Sequence, residues 1–185
     1  MKSMGAYIKE AKAHIMFNQK PSFQVGDQVI HWAYGLGKII QLDEKELSGH
    51  IEQYYVVKIR DMTLWVPINE TGESSMRCLT PARDFQKLLK ILSSPGEPLS
   101  DDRLERKKQL MDRLKDGTVE SICRVIRDLA LNKRRIRMNE NDKVIQNRAM
   151  NLLLDEWSIV LSVSIQQAGH ELQELLGAGT LATQS

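Results

Sequence analysis

The sequence has few cysteines and no long hydrophobic run, and each shortage excludes a class of protein. Its 185 residues include only Cys78 and Cys123, so we expect two reduced, half-buried thiols rather than a disulfide framework. No segment approaches the roughly 18 consecutive apolar residues of a membrane span. Residues 1–20 carry lysines throughout instead of the apolar centre of a signal peptide. We therefore expect a soluble cytoplasmic protein that does not engage a membrane.

Motifs for catalysis and for cofactor binding are also missing. The four histidines, at positions 14, 31, 50 and 170, lack the paired spacing of zinc ligands. The stretch "GLGK" at 35–38 lacks the spacing of a phosphate-binding loop and precedes a predicted strand rather than a helix. No G-x-S-x-G nucleophile motif occurs. We expect a binding protein, not an enzyme, with no metal and no cofactor.

Residues 22–80 are divided into short β-branched and aromatic segments by polar turns. This pattern predicts about five antiparallel strands in a twisted, barrel-like sheet. Gly35 and Gly37 are expected to give the backbone its freedom at a tight connection between two of these strands. Residues 1–21 precede the first strand signal and form either a short helix or a loose extension.

The remainder of the chain has helical periodicity. Residues 81–102 predict a connecting helix that begins at Pro81, followed by a proline- and serine-rich linker. Residues 103–168 predict an all-α bundle with Leu104 inside it, in which the apolar stretch 157–165 crosses the middle. Residues 169–185 predict a disordered tail. The expected fold class is therefore α+β with two domains.

Two surface features suggest binding. Alternation in "DMTLWVP" directs Trp65 away from the core, beside Lys58 and Arg60. There it is a protein-contact residue, or else it covers the end of the barrel or packs on the second domain. From residue 103 to residue 137 there are 12 Lys and Arg against 5 Asp and Glu, a local charge of +7 in a chain of net charge +2. Such a block favours a polyanionic partner, or it is simply a solvated helical surface.

The order of several segments resembles one protein family across both halves of the chain. These segments are "FQVGDQVIHWAYGLGKI", "EQYYVVKI", "DMTLWVP", "LKDGTVESICRVIRDLALNKR" and "ENDKVIQNRAMNLLLDE". They are similar to the CarD/CdnL family of bacterial transcription regulators, whose N-terminal domain also occurs in transcription-repair coupling factors. The resemblance implies a Tudor- or SH3-like β-barrel over 22–80 that docks on the RNA polymerase β subunit through a sheet edge. It also implies a helical domain that contacts promoter DNA and stabilises the open complex.

The resemblance marks Lys45, Trp65, Arg106, Lys108 and Arg127 as contact positions. The basic and exposed residues around them complete the candidates for each partner. Lys45 and Trp65 occupy positions of polymerase contact, and Lys58 and Arg60 lie beside Trp65. The candidates for DNA contact, mainly with phosphates, are Arg103, Arg106, Lys107, Lys108, Arg124, Arg127 and Arg134. Arg127 is equally interpretable as a structural ion-pair partner. Arg103 stands where the family has a tryptophan that wedges into the minor groove. We expect a monomer, and the alternative function is a polymerase-binding adaptor or competitor that does not engage DNA.

Overall fold

The computed structural model describes residues 23–47, 50–68, 75–135 and 138–182. The predicted N-terminal extension, residues 1–21, lies outside the described residues. The first half forms a five-stranded sheet in which every pairing is antiparallel, as predicted, and the spatial order of its strands is β4-β3-β2-β1-β5. The strands are β1 (Gln28–His31), β2 (Gly35–Leu47), β3 (His50–Ile59), β4 (Met62–Pro67) and β5 (Met76–Cys78).

Gly35 gives the backbone its freedom at the connection between β1 and β2, as predicted, whereas the prediction is wrong for Gly37, where the constraint is steric. Gly35 has a φ of +86°, in the left-handed region where glycine carries little steric penalty. Gly37 has no positive φ, but a Cβ there would lie 2.7 Å from side-chain carbons of both Val57 and Ile59. Gly37 is therefore required because β2 passes close to the core residues of β3.

One face of the sheet carries its own hydrophobic core, built by the alternation that the sequence shows. Val29, Ile39, Val57 and Val66 are among its buried members. Trp65 lies on the opposite face and is 44% exposed, in agreement with the predicted alternation. Closure of the sheet into a barrel is not seen, because β4 and β5 do not pair with each other in the described part of the chain.

The second half is helical, and a separate hydrophobic core holds it together. The helices are α1 (Ala82–Leu89), a 3₁₀ turn (Lys90–Ser93), α2 (Arg103–Lys115), α3 (Val119–Arg135), α4 (Glu140–Val160) and α5 (Ile165–Ala182). None of them is long and apolar enough to cross a membrane, within the residues that the structure describes. The α+β class is thus confirmed.

Local capping chemistry sets the ends of these helices. Asp102 begins α2 by accepting hydrogen bonds from the amides of Leu104 and Glu105. Asn139 begins α4 in a reciprocal capping box with Asp142. Gly117 follows α2 with a φ of +68°, the left-handed conformation in which glycine commonly ends a helix.

The linker predicted at 93–102 has no regular secondary structure beyond Ser93, yet it packs onto the helical part. Leu99 is buried in the helical core, together with Phe85 of the preceding helix. A Cβ on Gly96 would lie 3.1 Å from Leu131, and the amide of Glu97 donates to Asp128 Oδ1 at 2.8 Å. This segment is therefore part of the helical core rather than a free spacer.

Three details of the helical prediction are wrong. Leu104 is 79% exposed instead of buried, since the inward side of α2 is formed by Arg106, Leu110 and Leu114. The apolar stretch 157–165 does not cross the middle of the bundle, because α4 ends at Val160. Where a disordered tail was predicted at 169–185, the chain continues as α5 up to residue 182, and Leu172 of that helix is fully buried.

Candidate functional site

A cluster of four side chains lies on the outer face of the sheet, the face opposite its core. The Nζ atom of Lys45 is 3.9 Å from the centroid of the Trp65 ring, a cation–π distance. Trp65 Nε1 donates a hydrogen bond of 2.8 Å to Asp43 Oδ2. Tyr54 lies opposite Asp43 in the β2–β3 register, with its ring 6.0 Å from Lys45 Nζ. We call Asp43, Lys45, Tyr54 and Trp65 the outer-face cluster.

The contacts within the outer-face cluster fix its geometry. Tyr54 is the buried member of the cluster. It donates to Glu52 Oε2 at 2.7 Å, and this hydrogen bond raises the pKa of Tyr54. The Trp65 ring is held on one side by an ammonium group and at its nitrogen by a carboxylate, while close to half of its surface stays open to solvent. A half-exposed tryptophan with a fixed orientation is suited to anchoring a protein partner, because little side-chain entropy remains to be lost on binding.

Trp65 also belongs to an edge strand. Among the described residues β4 pairs only with β3, so the other edge of β4 presents backbone N–H and C=O groups without a strand partner. Such an edge accepts a further strand from another protein. The structure therefore brings together, on β4, an aromatic anchor and a sheet edge that no described strand covers.

The other two candidates for polymerase contact differ in their positions. Lys58 is exposed on the same face as the outer-face cluster, paired in register with Thr63 of β4. Arg60 lies in the β3–β4 turn with a φ of 48°, and its Nη2 donates to Asp155 of α4 at 2.7 Å. Arg60 is therefore directed toward the helical part and does not join the cluster.

Helix α2 carries three of the proposed DNA contacts on its surface. Arg103, Lys107 and Lys108 are exposed and form no ion pair with any residue that the structure describes. Leu104, at 79% exposure, lies among them. The N-terminal part of α2 therefore presents an apolar side chain surrounded by unpaired cations, and we call these four residues the α2 surface.

Arg106 does not belong to the α2 surface, which corrects the prediction. It is 2% exposed, and it reaches Asp142 through Nε–Oδ1 and Nη2–Oδ2 hydrogen bonds of 3.1 and 3.0 Å. Its Nη1 donates to the carbonyl oxygens of Ser100 and Asp101. All of its polar groups face protein acceptors, so Arg106 is structural.

The candidates on α3 are also largely used within the protein. Arg127 is 7% exposed and donates to Asp128 and to Ser94, the arrangement of a structural ion-pair partner. Arg124 is half-buried and donates to Glu120 at 2.9 Å, a hydrogen bond that raises the pKa of Arg124. The side chain of Arg134 lies outside the described residues.

Sequence reasoning missed the ion pair that joins the sheet to the helices. Arg77 of β5 donates through both terminal nitrogens to Glu156 of α4, at 2.8 and 2.7 Å, and its Nε donates to the carbonyl of Gly117. Glu156 is fully buried and also accepts from the amide of Thr80. A signal was present, because Glu156 occupies an apolar position in the helical repeat and a carboxylate there requires a partner.

No metal site accompanies these surfaces in the described ranges. No three His, Cys, Asp or Glu side chains within 23–47, 50–68, 75–135 and 138–182 are grouped so as to hold an ion. What the described residues offer is therefore contact surface: a sheet edge with an anchor, and a cationic helix.

Comparisons with known proteins match both halves of the chain. Residues 23–79 match the model of the CarD-like/TRCF RID domain, and residues 87–173 match the model of the CarD C-terminal domain. A Bacillus subtilis (strain 168) protein named "Putative transcription factor YdeB" is 28% identical over 151 residues, which cover 78% of this chain and 96% of that relative. The similarity thus extends through the sheet and the helices in the same order.

Proposed function

Because the chain belongs to the CarD/CdnL family of bacterial transcription regulators, which act through RNA polymerase, we propose that it docks on the polymerase β subunit through β4. The outer-face cluster beside the edge of β4 that no described strand covers carries this proposal. In the proposed complex, a strand of the β subunit extends the sheet at β4, and Trp65 anchors the contact. The protein acts by binding and not by catalysis.

The helical part, in this proposal, contacts promoter DNA through the α2 surface. Arg103, Lys107 and Lys108 supply phosphate contacts, which position the protein without reading sequence. Leu104 is the apolar group suited to insertion at a base step, a device by which proteins hold distorted DNA in the minor groove. Binding that favours the melted promoter over the closed one shifts the population toward the open complex.

A second function is favoured by one observation. Arg106 and Arg127 are buried in ion pairs and Arg124 is paired at the surface, so three of the seven predicted DNA contacts are already used within the protein. A chain with this smaller cationic surface fits a polymerase-binding adaptor or competitor that does not touch DNA.

A promoter-complex assay with polymerase holoenzyme and the full chain distinguishes the DNA-contacting regulator from the adaptor. Replacing the three α2 cations by alanine shortens the lifetime of the promoter complex if the chain contacts DNA, and leaves it unchanged if it acts as an adaptor. The matched control removes three exposed lysines elsewhere, Lys87, Lys90 and Lys143, which changes the net charge equally. Failure of the wild-type chain to bind the isolated β subunit overturns both.

A further inference from the structure

A cleft of about 360 Å³ separates the β1–β2 turn of the sheet from the exposed side of α4. Its volume lies within the range of small-molecule sites. The polar residues that line it are Tyr34, Arg60, Asn147, Arg148, Asn151 and Asp155. Neither the β4 edge nor the α2 surface borders this cleft, so it is free for a separate role.

Arg148 is the feature that calls for a ligand. Its Nη2 donates to the carbonyl of Trp32 at 3.2 Å, and its guanidinium lies 5.2 Å from the centroid of the Trp32 ring. Its Nε is buried without a hydrogen-bond partner among the described residues. Burial lowers the pKa of Arg148, and no described carboxylate pairs with it.

The other buried or half-buried arginines show how unusual this is. Arg77, Arg106, Arg113 and Arg127 each donate to a buried carboxylate, namely Glu156, Asp142 and, for the last two, Asp128. Arg124 donates to the exposed carboxylate of Glu120. A guanidinium removed from water is expensive unless an anion compensates it. Arg148 alone among these six described arginines lacks one, so an anion from outside the chain would complete its environment.

The remaining walls indicate what kind of anion fits. Asn147 and Asn151 are exposed one turn apart on α4 and supply amide donors next to Arg148. Tyr34 is 51% exposed as a residue, and its ring supplies a flat apolar face. Asp155 is already paired with Arg60, so the carboxylate in the cleft is neutralised.

We propose that this cleft binds a nucleotide. The phosphates of the nucleotide contact Arg148 and the side-chain amides of Asn147 and Asn151, and its base stacks on the Tyr34 ring. The recessed position of Arg148 favours a small ligand over duplex DNA, whose convex backbone meets protruding cations more readily. The ligand would touch both the sheet and the helices, and would therefore restrain their relative orientation. This role is independent of the proposed function, because it involves neither polymerase nor promoter.

Calorimetric titration of the full chain tests the proposal with three probes: inorganic pyrophosphate, a nucleoside diphosphate and a short DNA duplex. We expect the first two to bind, and Arg148→Met to weaken both by about tenfold or more. Tyr34→Leu should weaken only the nucleoside diphosphate. Lys143→Met is the matched control, since Lys143 is an exposed cation on the same helix that pairs with Glu140 outside the cleft.

A measurement on the wild type guards against a variant that fails to fold. The indole N–H resonance of Trp32 should shift when pyrophosphate is added, while that of Trp157, buried in the helical core, stays in place. No binding of either phosphate probe at millimolar concentration, or an equal loss in Lys143→Met, overturns the proposal. An Arg148-dependent signal with the duplex alone also overturns it, in favour of a nucleic-acid contact. An unchanged nucleoside diphosphate affinity in Tyr34→Leu overturns the stacking.

Discussion

Arg106 and Asp142 form a two-pronged ion pair inside the helical part, with side chains 2% and 1% exposed. The same carboxylate also accepts the Asn139 amide, which completes the capping box of α4. Asp142 therefore completes the cap at the start of α4 and also pairs with Arg106 of α2. The pair joins α2 to α4 at the end of the bundle where the α2 surface lies.

Arg106→Met should lower the free energy of unfolding by about 3–5 kcal/mol, because it leaves the Asp142 carboxylate buried and uncompensated. Denaturant unfolding measures this change. Lys107→Met, one residue further on the exposed side of α2, should change the stability by no more than about 0.5 kcal/mol. Equal effects of the two substitutions would contradict the buried position of Arg106.

Arg77→Met should loosen the attachment of the sheet to the helices, because Glu156 then keeps only the Thr80 amide as a partner. We expect faster hydrogen exchange at the amides of β5 and a loss of about 3 kcal/mol or more in stability. The double variant Arg77→Met/Glu156→Met should be more stable than Arg77→Met alone, since the unpaired Glu156 carboxylate is then removed as well. A double variant that is less stable than the single one would argue against this account.

Trp65→Ala should weaken binding to the polymerase β subunit by about 2 kcal/mol, the scale of an anchoring tryptophan, with a smaller effect on folding. Met62→Ala is the control, since Met62 is 46% exposed on the same strand but points to the opposite face. Surface plasmon resonance on the isolated β subunit compares the two. If both variants bind as well as the wild type, the outer-face cluster is not the contact.

Replacing Arg103, Lys107 and Lys108 by alanine should flatten the salt dependence of DNA affinity by about 0.9 in log–log slope for each phosphate that the variant no longer neutralises. Leu104→Ala should instead shorten the open-complex lifetime and leave that slope unchanged, because an apolar wedge releases no counterions. Salt titrations of promoter complexes separate the two effects. A changed slope in Leu104→Ala would show that the leucine acts only by holding its charged neighbours.

The two cysteines should differ sharply in reactivity. Cys123 is fully buried, and burial, with the nearby Glu156 carboxylate, raises the pKa of its thiol to about 12. Cys78 is exposed, so neither thiol is half-buried as the sequence suggested. At mildly alkaline pH, iodoacetamide should therefore add one equivalent to the folded chain, at Cys78, and two in denaturant. Intact-mass measurement reads the result, and a second adduct on the folded chain would contradict it.

Much of the local structure could be predicted from short-range patterns. The alternation of residues 62–66 sufficed to direct Trp65 outward, and Asn139 and Gly117 marked helix ends through capping chemistry that depends only on near neighbours. The candidate site was predicted less well. Lys45 and Trp65 do meet, whereas Arg106 and Arg127 are buried although they lie in the same basic stretch as the exposed Lys107.

The sequence by itself determined the strands, most of the helices and the outward face of β4, because these depend on periods of two and 3.6 residues. It did not determine the exposed position of Leu104 or the presence of α5, since both depend on how the helices pack. The tertiary structure alone decided which charges remain available. Arg106 meets Asp142 36 residues away, and Arg77 meets Glu156 79 residues away. Whether an arginine is a surface cation or a buried ion-pair partner depends on the element that packs over it, and no local period carries that information. The same holds for Arg148, whose missing carboxylate becomes apparent only once α4 lies against the β1–β2 turn.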